Sequence, residues 1–408
     1  MAVGEQCLPP LLPVAGFRLS AVSAGIKTPG RLDLVLMELA EQSSCAAVFT
    51  QNAFCAAPVV LAREHLLESD TAVRYLLVNT GNANAGTGAE GYAAASRCCQ
   101  RVADETASLA NQVLPFSTGV IGEPLPVDKL LSALPDAFDS LDTGTWLDAG
   151  EGIMTTDTRP KGAFRVCEFE GQAFNLAGIS KGAGMIRPNM ATMLGFVATD
   201  IAIDETLLHA LLKQVTDKSF NRITIDSDTS TNDSCILIAT GKAGNKKLTD
   251  LDSEFAKYFV DQLTSIMQEL AHAIVKDGEG ATKFVSIEVA GAEAKEDATK
   301  VAFEIAHSPL VKTALFASDP NWGRILAVVG RVGLQTLDVS RVAIYINNVE
   351  IVKEGSRSDS YTEELGQLAM SPENINIRID LGLGDAFDTV WTTDLSHDYV
   401  TINAEYRT

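Results

Sequence analysis

Helical and strand periods alternate along the whole of this chain. Leu207, Leu208, Leu211, Leu212 and Val215 share one face of a helix opened by Asp204. Phe255, Phe259, Leu263, Met267, Leu270 and Ile274 mark a longer amphipathic helix that stops before Gly278. Tyr92, Ala95, Cys99, Val102 and Leu109 predict a third over 90–112, and a fourth follows over about 294–308. Strand patterns lie between them. Val285, Ile287 and Val289 alternate with polar residues, while TMLGFVAT (192–199) is a continuous apolar run suited to a buried strand. FRVCEFE (164–170) and FNLAGIS (174–180) flank Gly171 like the arms of a hairpin. RITID (222–226) and SCILIAT (234–240) read as strands bracketing a polar, solvated connection, DSDTSTND (226–233). VVLAREHLLE (59–68) and YLLVNTGNANAG (75–86) also read as strands, the second running into a Gly/Asn-rich loop.

This alternation indicates an α/β protein. GKAGNKKLTD (241–250) has the composition of a linker. The pattern therefore draws a smaller α/β domain at 248–346, with 1–247 and 347–408 forming the main body.

Composition narrows the function classes. The chain has 408 residues, 46% hydrophobic and 21% charged, as in an ordinary globular protein of two or three domains. Its net charge of −21 makes it a poor partner for nucleic acid or an anionic membrane. No apolar run approaches the length of a membrane span. The opening residues, MAVGEQCLPPLLPVAGF, lack the cationic-then-apolar pattern of a secretory signal, so a cytoplasmic location is expected. Seven cysteines without a CxxC spacing read as reduced thiols. Five scattered histidines give no ligand spacing, and no metal is expected. The DSDTSTND loop lacks the glycine and glutamate of a calcium loop.

The densest cluster of unusual residues is GISKGAGMIRPNMATMLG (178–195), where Lys181, Arg187 and Asn189 lie among four glycines. It lacks the spacing of a phosphate loop. One reading is a glycine-rich turn feeding a core strand, with Lys181 and Arg187 solvated and Met185, Met190 and Met193 filling the core. Another centres on Ala191 and Thr192. The Thr192 hydroxyl could attack the preceding carbonyl and release a new N-terminus that carries nucleophile and base together. A terminal amine, with a pKa of about 7.7–8.0, is roughly one-tenth neutral at pH 7, whereas an unperturbed lysine is under about 0.1% neutral. It thus starts closer to the value a general base needs. Both readings stay open on spacing alone.

Several separated motifs carry a resemblance across nearly the full length. They are GIK (25–27), VFTQNAFCAAPV (48–59), VNTGNANAGTG (78–88), STGVIGEPLP (117–126), IMTTDTRPK (153–161), SKGAGMIRPNMATMLGF (180–196), DGEGATKF (277–284), SDPNWGRI (318–325) and INAEYRT (402–408). In this order they resemble the ornithine acetyltransferase family of arginine biosynthesis, enzymes also known as bifunctional glutamate N-acetyltransferases. The resemblance implies a layered α-β-β-α sandwich like that of N-terminal-nucleophile enzymes. It implies self-cleavage between Ala191 and Thr192, giving chains 1–191 and 192–408 that associate as α2β2.

It also implies the chemistry. Thr192 would take the acetyl group from N-acetylornithine as an ester and pass it to glutamate, giving ornithine and N-acetylglutamate by a ping-pong route. Thr118 and Gly119 match the oxyanion-hole donors, although Thr-Gly taken alone is an ordinary turn. Thr155, Lys181, Thr192, Glu279, Asn403 and Thr408 match the substrate-binding positions, with Lys181 facing the α-carboxylate and Glu279 the ornithine ammonium. Thr156 is an equally polar neighbour of Thr155. No metal and no organic cofactor enter this scheme. Some family members also use acetyl-CoA, whose phosphates would need basic groups such as Arg159, Lys161 or Arg187. Two rivals remain: an N-terminal-nucleophile amidase or aminopeptidase that gives the acyl group to water, and an uncleaved amino-acid-binding protein.

Overall fold

Strand β2 (Leu34–Leu39) is apolar on both faces and so needs cover on both. That need sets the layering of the molecule, a computed structural model describing residues 2–4, 8, 10–68, 72–187 and 193–405. With β1 (Phe17–Val22), β4 (Tyr75–Asn82) and β5 (Val113–Val120) it forms a sheet of order β1-β2-β4-β5, in which β4 and β5 run parallel. A second sheet has the order β3-β9-β8-β7-β6. Its strands are β3 (Ser44–Phe49), β6 (Lys161–Phe169), β7 (Gln172–Lys181), β8 (Leu194–Thr199) and β9 (Ser234–Ala239).

Val35, Met37, Leu76, Val78 and Phe116 of the first sheet pack face to face against Ile179, Phe196, Ala198, Ile236 and Ile238 of the second. Phe116 and Phe196 meet edge-on across the interface at 5.3 Å. The opposite face of the first sheet, with Leu34, Leu36 and Leu77, is covered by α1 (Ala57–Glu68), α2 (Gly88–Thr106) and α3 (Val127–Asp139). The short α4 (Trp146–Gly152) closes one end, where Trp146 stacks on Phe17 at 5.1 Å. The outer face of the second sheet is covered by α5 (Glu205–Thr216) and α6 (Glu254–Lys276). The result is an α-β-β-α sandwich.

A third sheet, of order β13-β12-β11-β14-β10-β15, has a separate apolar core. It comprises β10 (Phe284–Ala292), β11 (Ala343–Ile346), β12 (Val349–Lys353), β13 (Ser356–Arg357), β14 (Asn374–Asp380) and β15 (Ala386–Thr393). It is covered by α7 (Lys295–Ala306), α8 (Pro309–Phe316), α9 (Trp322–Arg331) and α10 (Glu363–Met370), and α11 (His397–Ala404) returns to the main body. This grouping differs from the 248–346 segment drawn from composition. The apolar face of α6 packs on the second sheet, while β12 to β15 hydrogen-bond within the third.

Two local readings change. Residues 59–68 lie in helix α1, where the polar His65 is buried and the apolar Leu67 is exposed, so polarity along the segment does not follow the helical period. RITID is not a strand: it contributes only a 3-10 turn and one bridge from Ile223 to Trp391. The hairpin is as expected, β6 and β7 joined at Glu170 and Gly171, both with positive φ.

Candidate active site

The parallel strands β4 and β5 end side by side, and their last residues approach too closely for ordinary side chains. Gly119 pairs with Gly81 and has φ +133°; a Cβ there would sit 2.3 Å from the Gly81 carbonyl carbon. Only glycine fits. The preceding Thr118 is buried, its hydroxyl at the same strand end. From the loop before β9, Asn232 locks this end in place. Its amide donates to the carbonyls of Ala83 (2.6 Å) and Ser117 (2.9 Å) and accepts from the Thr231 hydroxyl (2.6 Å).

Lys181 ends β7 and extends toward the same point, where its Nζ donates to Thr118 Oγ1 at 3.0 Å. Burial lowers the pKa of this lysine, against the pull of Asp157. Behind it stands a fully buried charge cluster. Asp157 Oδ1 accepts from Lys161 Nζ (2.5 Å) and from the Gly182 amide (2.7 Å), and Oδ2 accepts from the Thr155 amide (2.9 Å). Lys161 Nζ also donates to Asp277 (2.5 Å), which receives the Thr158 amide and hydroxyl as well. Burial alone would raise the Asp157 pKa, but the charges of Lys161 and Lys181 outweigh it and hold the carboxyl below the usual range.

Glu279 faces Lys181 from the loop after α6. Its amide donates to the Ala183 carbonyl (2.8 Å), and Oε2 accepts from Asn403 Nδ2 of α11 (2.7 Å). Gly184 makes room for it, since a Cβ there would lie 2.4 Å from Glu279 Oε2. Helix α11 is held by a Tyr399 hydroxyl bond to Asp226 (3.2 Å). Burial and the neighbouring acids push the Tyr399 pKa up, so the phenol stays a donor.

These groups enclose a cavity of about 270 Å³. Thr118, Gly119, Thr155, Lys181, Glu279 and Asn403 all line it, although five separated motifs supply them. Thr156 lines it beside Thr155. Ala191, Thr192 and Thr408 lie outside the described residues, as do Asn189 and Met190. Met193 and Leu194, next along the chain from Thr192, are cavity residues.

Several sequence expectations are corrected here. The 226–233 segment is no solvated connection: Thr231, Asn232 and Asp233 are buried, Ser230, Asn232 and Asp233 line the cavity, and Asp226 accepts the amides of Met185 (2.6 Å) and Ile186 (2.8 Å). Met185 is a half-exposed cavity residue with φ +55°, not core filling. Lys161 is sealed between two carboxylates, and Arg159 donates to the carbonyls of Val3 (2.9 Å) and Gly4 (2.8 Å). Neither lines the cavity, and Arg187 is exposed and likewise outside its lining. Asp157 and Asn232 went unnoticed in the sequence because only burial distinguishes them from loop residues.

Over residues 18–408 the chain matches the model of the ArgJ family. It is 56% identical over 408 residues to the arginine biosynthesis bifunctional protein ArgJ of Pseudomonas fluorescens (strain Pf0-1), with 100% of both chains covered. With the protein of the same name from Pseudomonas syringae pv. tomato it shares 55% over 408 residues, again with full coverage of both. Among solved structures, arginine biosynthesis bifunctional protein argJ from Bacillus halodurans is 37% identical with a TM-score of 0.49, covering 51% of this chain and 97% of that one. An ornithine acetyltransferase from Mycobacterium tuberculosis, complexed with ornithine, is 35% identical with a TM-score of 0.41, covering 45% and 96%.

Proposed function

The chain belongs to the ArgJ family, and we propose that it moves the acetyl group of N-acetyl-L-ornithine to L-glutamate in arginine biosynthesis. One observation carries the reading: a hydroxyl, a close-packed glycine, a cation and an acid from distant motifs converge on one cavity sized for an amino acid.

In this scheme the chain cleaves itself between Ala191 and Thr192, and Thr192 becomes an N-terminal nucleophile. Its Oγ attacks the acetyl carbonyl while its α-amine takes the hydroxyl proton. Thr118 and Gly119 hold the tetrahedral oxyanion. The C–N bond then breaks, the amine returns the proton to the leaving nitrogen, and ornithine departs. The α-amine of glutamate attacks the acetyl ester in the same way and releases N-acetylglutamate and the free hydroxyl. Lys181 meets the substrate α-carboxylate, and Glu279, steadied by Asn403, meets the ornithine ammonium; Thr155 and Thr408 complete the substrate site. No metal or organic cofactor is required. Acetyl-CoA is a second acetyl donor by this reading, as the bifunctional name of the relatives suggests. The two cleavage products stay together and pair as α2β2 in the cytoplasm.

Intact mass spectrometry under denaturing conditions tests this reading, with Thr192→Ala as the comparison. Wild type should give fragments 1–191 and 192–408, absent in the variant. N-acetylornithine should add one acetyl group to the second fragment, and glutamate should remove it. Loss of that acetyl group to water at the same rate without glutamate would favour an amidase. An intact wild-type chain would leave a binding protein as the better account.

A further inference from the structure

The Lys161 ammonium, buried with Asp157 and Asp277, does not reach the cavity and has no part in the scheme above. Charges are buried at a cost, and such a cluster need not stabilise the fold more than apolar packing would. Its geometry is more telling. A single carboxylate, Asp157, touches two walls of the cavity at once: Oδ2 holds the amide of Thr155, and Oδ1 holds the amide of Gly182, directly after Lys181. Gly182 has φ +145°, and a Cβ there would lie 2.8 Å from Ile186, so the turn after Lys181 is tight and depends on that hydrogen bond for its direction. Lys161, which does not line the cavity, in turn holds Asp157 by the same oxygen, Oδ1, at 2.5 Å.

We infer that Asp157 is a positioning residue: it aims Lys181 and Thr155 jointly at the carboxylate of the amino-acid substrate. The inference rests on the acetyltransferase reading and adds a residue to it. Asp157 touches neither substrate nor the reacting atoms; it acts through the two backbone amides. It also supports the positive charge of Lys181, which burial and the Lys161 charge oppose, while Asp233 and Glu279 assist it. Thr118 contributes only a neutral oxygen. With Asp157 neutralised, Lys181 should lose its proton at lower pH and aim less well.

The test compares binding of ornithine with binding of 1,4-diaminobutane, which is ornithine without its carboxylate. Calorimetric titration of the full-length protein reads this whether or not a variant self-cleaves. Asp157→Asn keeps the shape and is expected to weaken ornithine at least tenfold while leaving diaminobutane within about twofold. The alkaline limb of kcat/KM for N-acetylornithine should move to lower pH, with the loss mainly in KM. Asp277→Asn removes the same charge from the same lysine but touches neither Thr155 nor Gly182. It should lower the melting temperature and keep the ornithine preference. Asp157→Glu, which restores the carboxylate, should recover part of the preference. Equal loss of preference in Asp157→Asn and Asp277→Asn, or none in either, overturns the inference while leaving the acetyltransferase reading intact. A wild-type protein that transfers no acetyl group from N-acetylornithine overturns both.

Discussion

Lys181 Nζ donates to Thr118 Oγ1 across 3.0 Å, joining the end of one sheet to the end of the other. An ammonium has no acceptor, so it can use only the oxygen of the hydroxyl. The Thr118 proton is left to point elsewhere, and no acceptor for it occurs among the described residues. That arrangement presents a polarised O–H to the cavity, as an oxyanion donor requires. Thr118→Val keeps the shape and removes the donor, and acetyl transfer should fall about 10²–10³-fold in kcat. Thr118→Ser should retain activity within about tenfold. Equal activity in the valine and serine variants would remove Thr118 from the chemistry.

Gly119→Ala tests the close approach of β4 and β5. Its Cβ would have to displace backbone, not a flexible side-chain end, at 2.3 Å. We expect a loss of about 4 kcal/mol or more, or no soluble protein. Urea unfolding beside Gly122→Ala provides the scale, since a Cβ at Gly122 meets nothing within 4 Å; the positive φ there costs only local strain.

The buried cluster makes a prediction about pH. Asp157 has a folded pKa below its unfolded value, so it stabilises the fold above the ordinary carboxylate range, and that contribution is lost as pH falls through the folded value. Lys161→Met removes the cation between two buried carboxylates and should cost about 3–5 kcal/mol at pH 7. The two acids would then repel, the folded pKa of Asp157 would rise, and the variant should become more stable as pH drops from 7 to 5. Parallel melting curves for wild type and variant across that interval would contradict this account.

Lys312 gives a trend in the alkaline range. Its Nζ donates to Thr392 Oγ1 (3.1 Å) and to the Thr393 carbonyl, and burial lowers its pKa to about 8 against the pull of Asp394 and Asp226. The folded value lies below the unfolded one of about 10.4, so the folded state holds fewer protons between them. Stability from this group therefore rises as pH climbs from 8 toward 10. Lys312→Met should flatten that rise. The check is the difference in unfolding free energy between the two proteins at pH 7.5 and 9.5, which should shift toward wild type at the higher pH.

Much was legible in the sequence alone. Helices α5 and α6 were plain because each exposes one face and buries the other, so the 3.6-residue period survives in the pattern. Asp204 announced its helix as a cap, and its carboxylate accepts the Thr206 amide at 3.1 Å. The β6–β7 hairpin was marked by Gly171. The substrate-site candidates came from motif order, and those among the described residues do line one cavity.

Only the tertiary structure decided the rest. In helix α1 the polar His65 is buried and the apolar Leu67 is exposed, which blurs its period. The 226–233 loop is polar in sequence yet contributes Ser230, Asn232 and Asp233 to the cavity wall, because Asn232 satisfies carbonyls at a strand end more than a hundred residues away. Lys161 and Asp157 are ordinary charged residues by spacing; what makes them a cluster is the exclusion of water, which depends on how the β7 end, the 155–161 loop and the end of α6 meet. Periodicity records which face of an element is covered. It does not record which distant polar groups that cover brings within hydrogen-bond reach, since those distances are set by the packing of the layers.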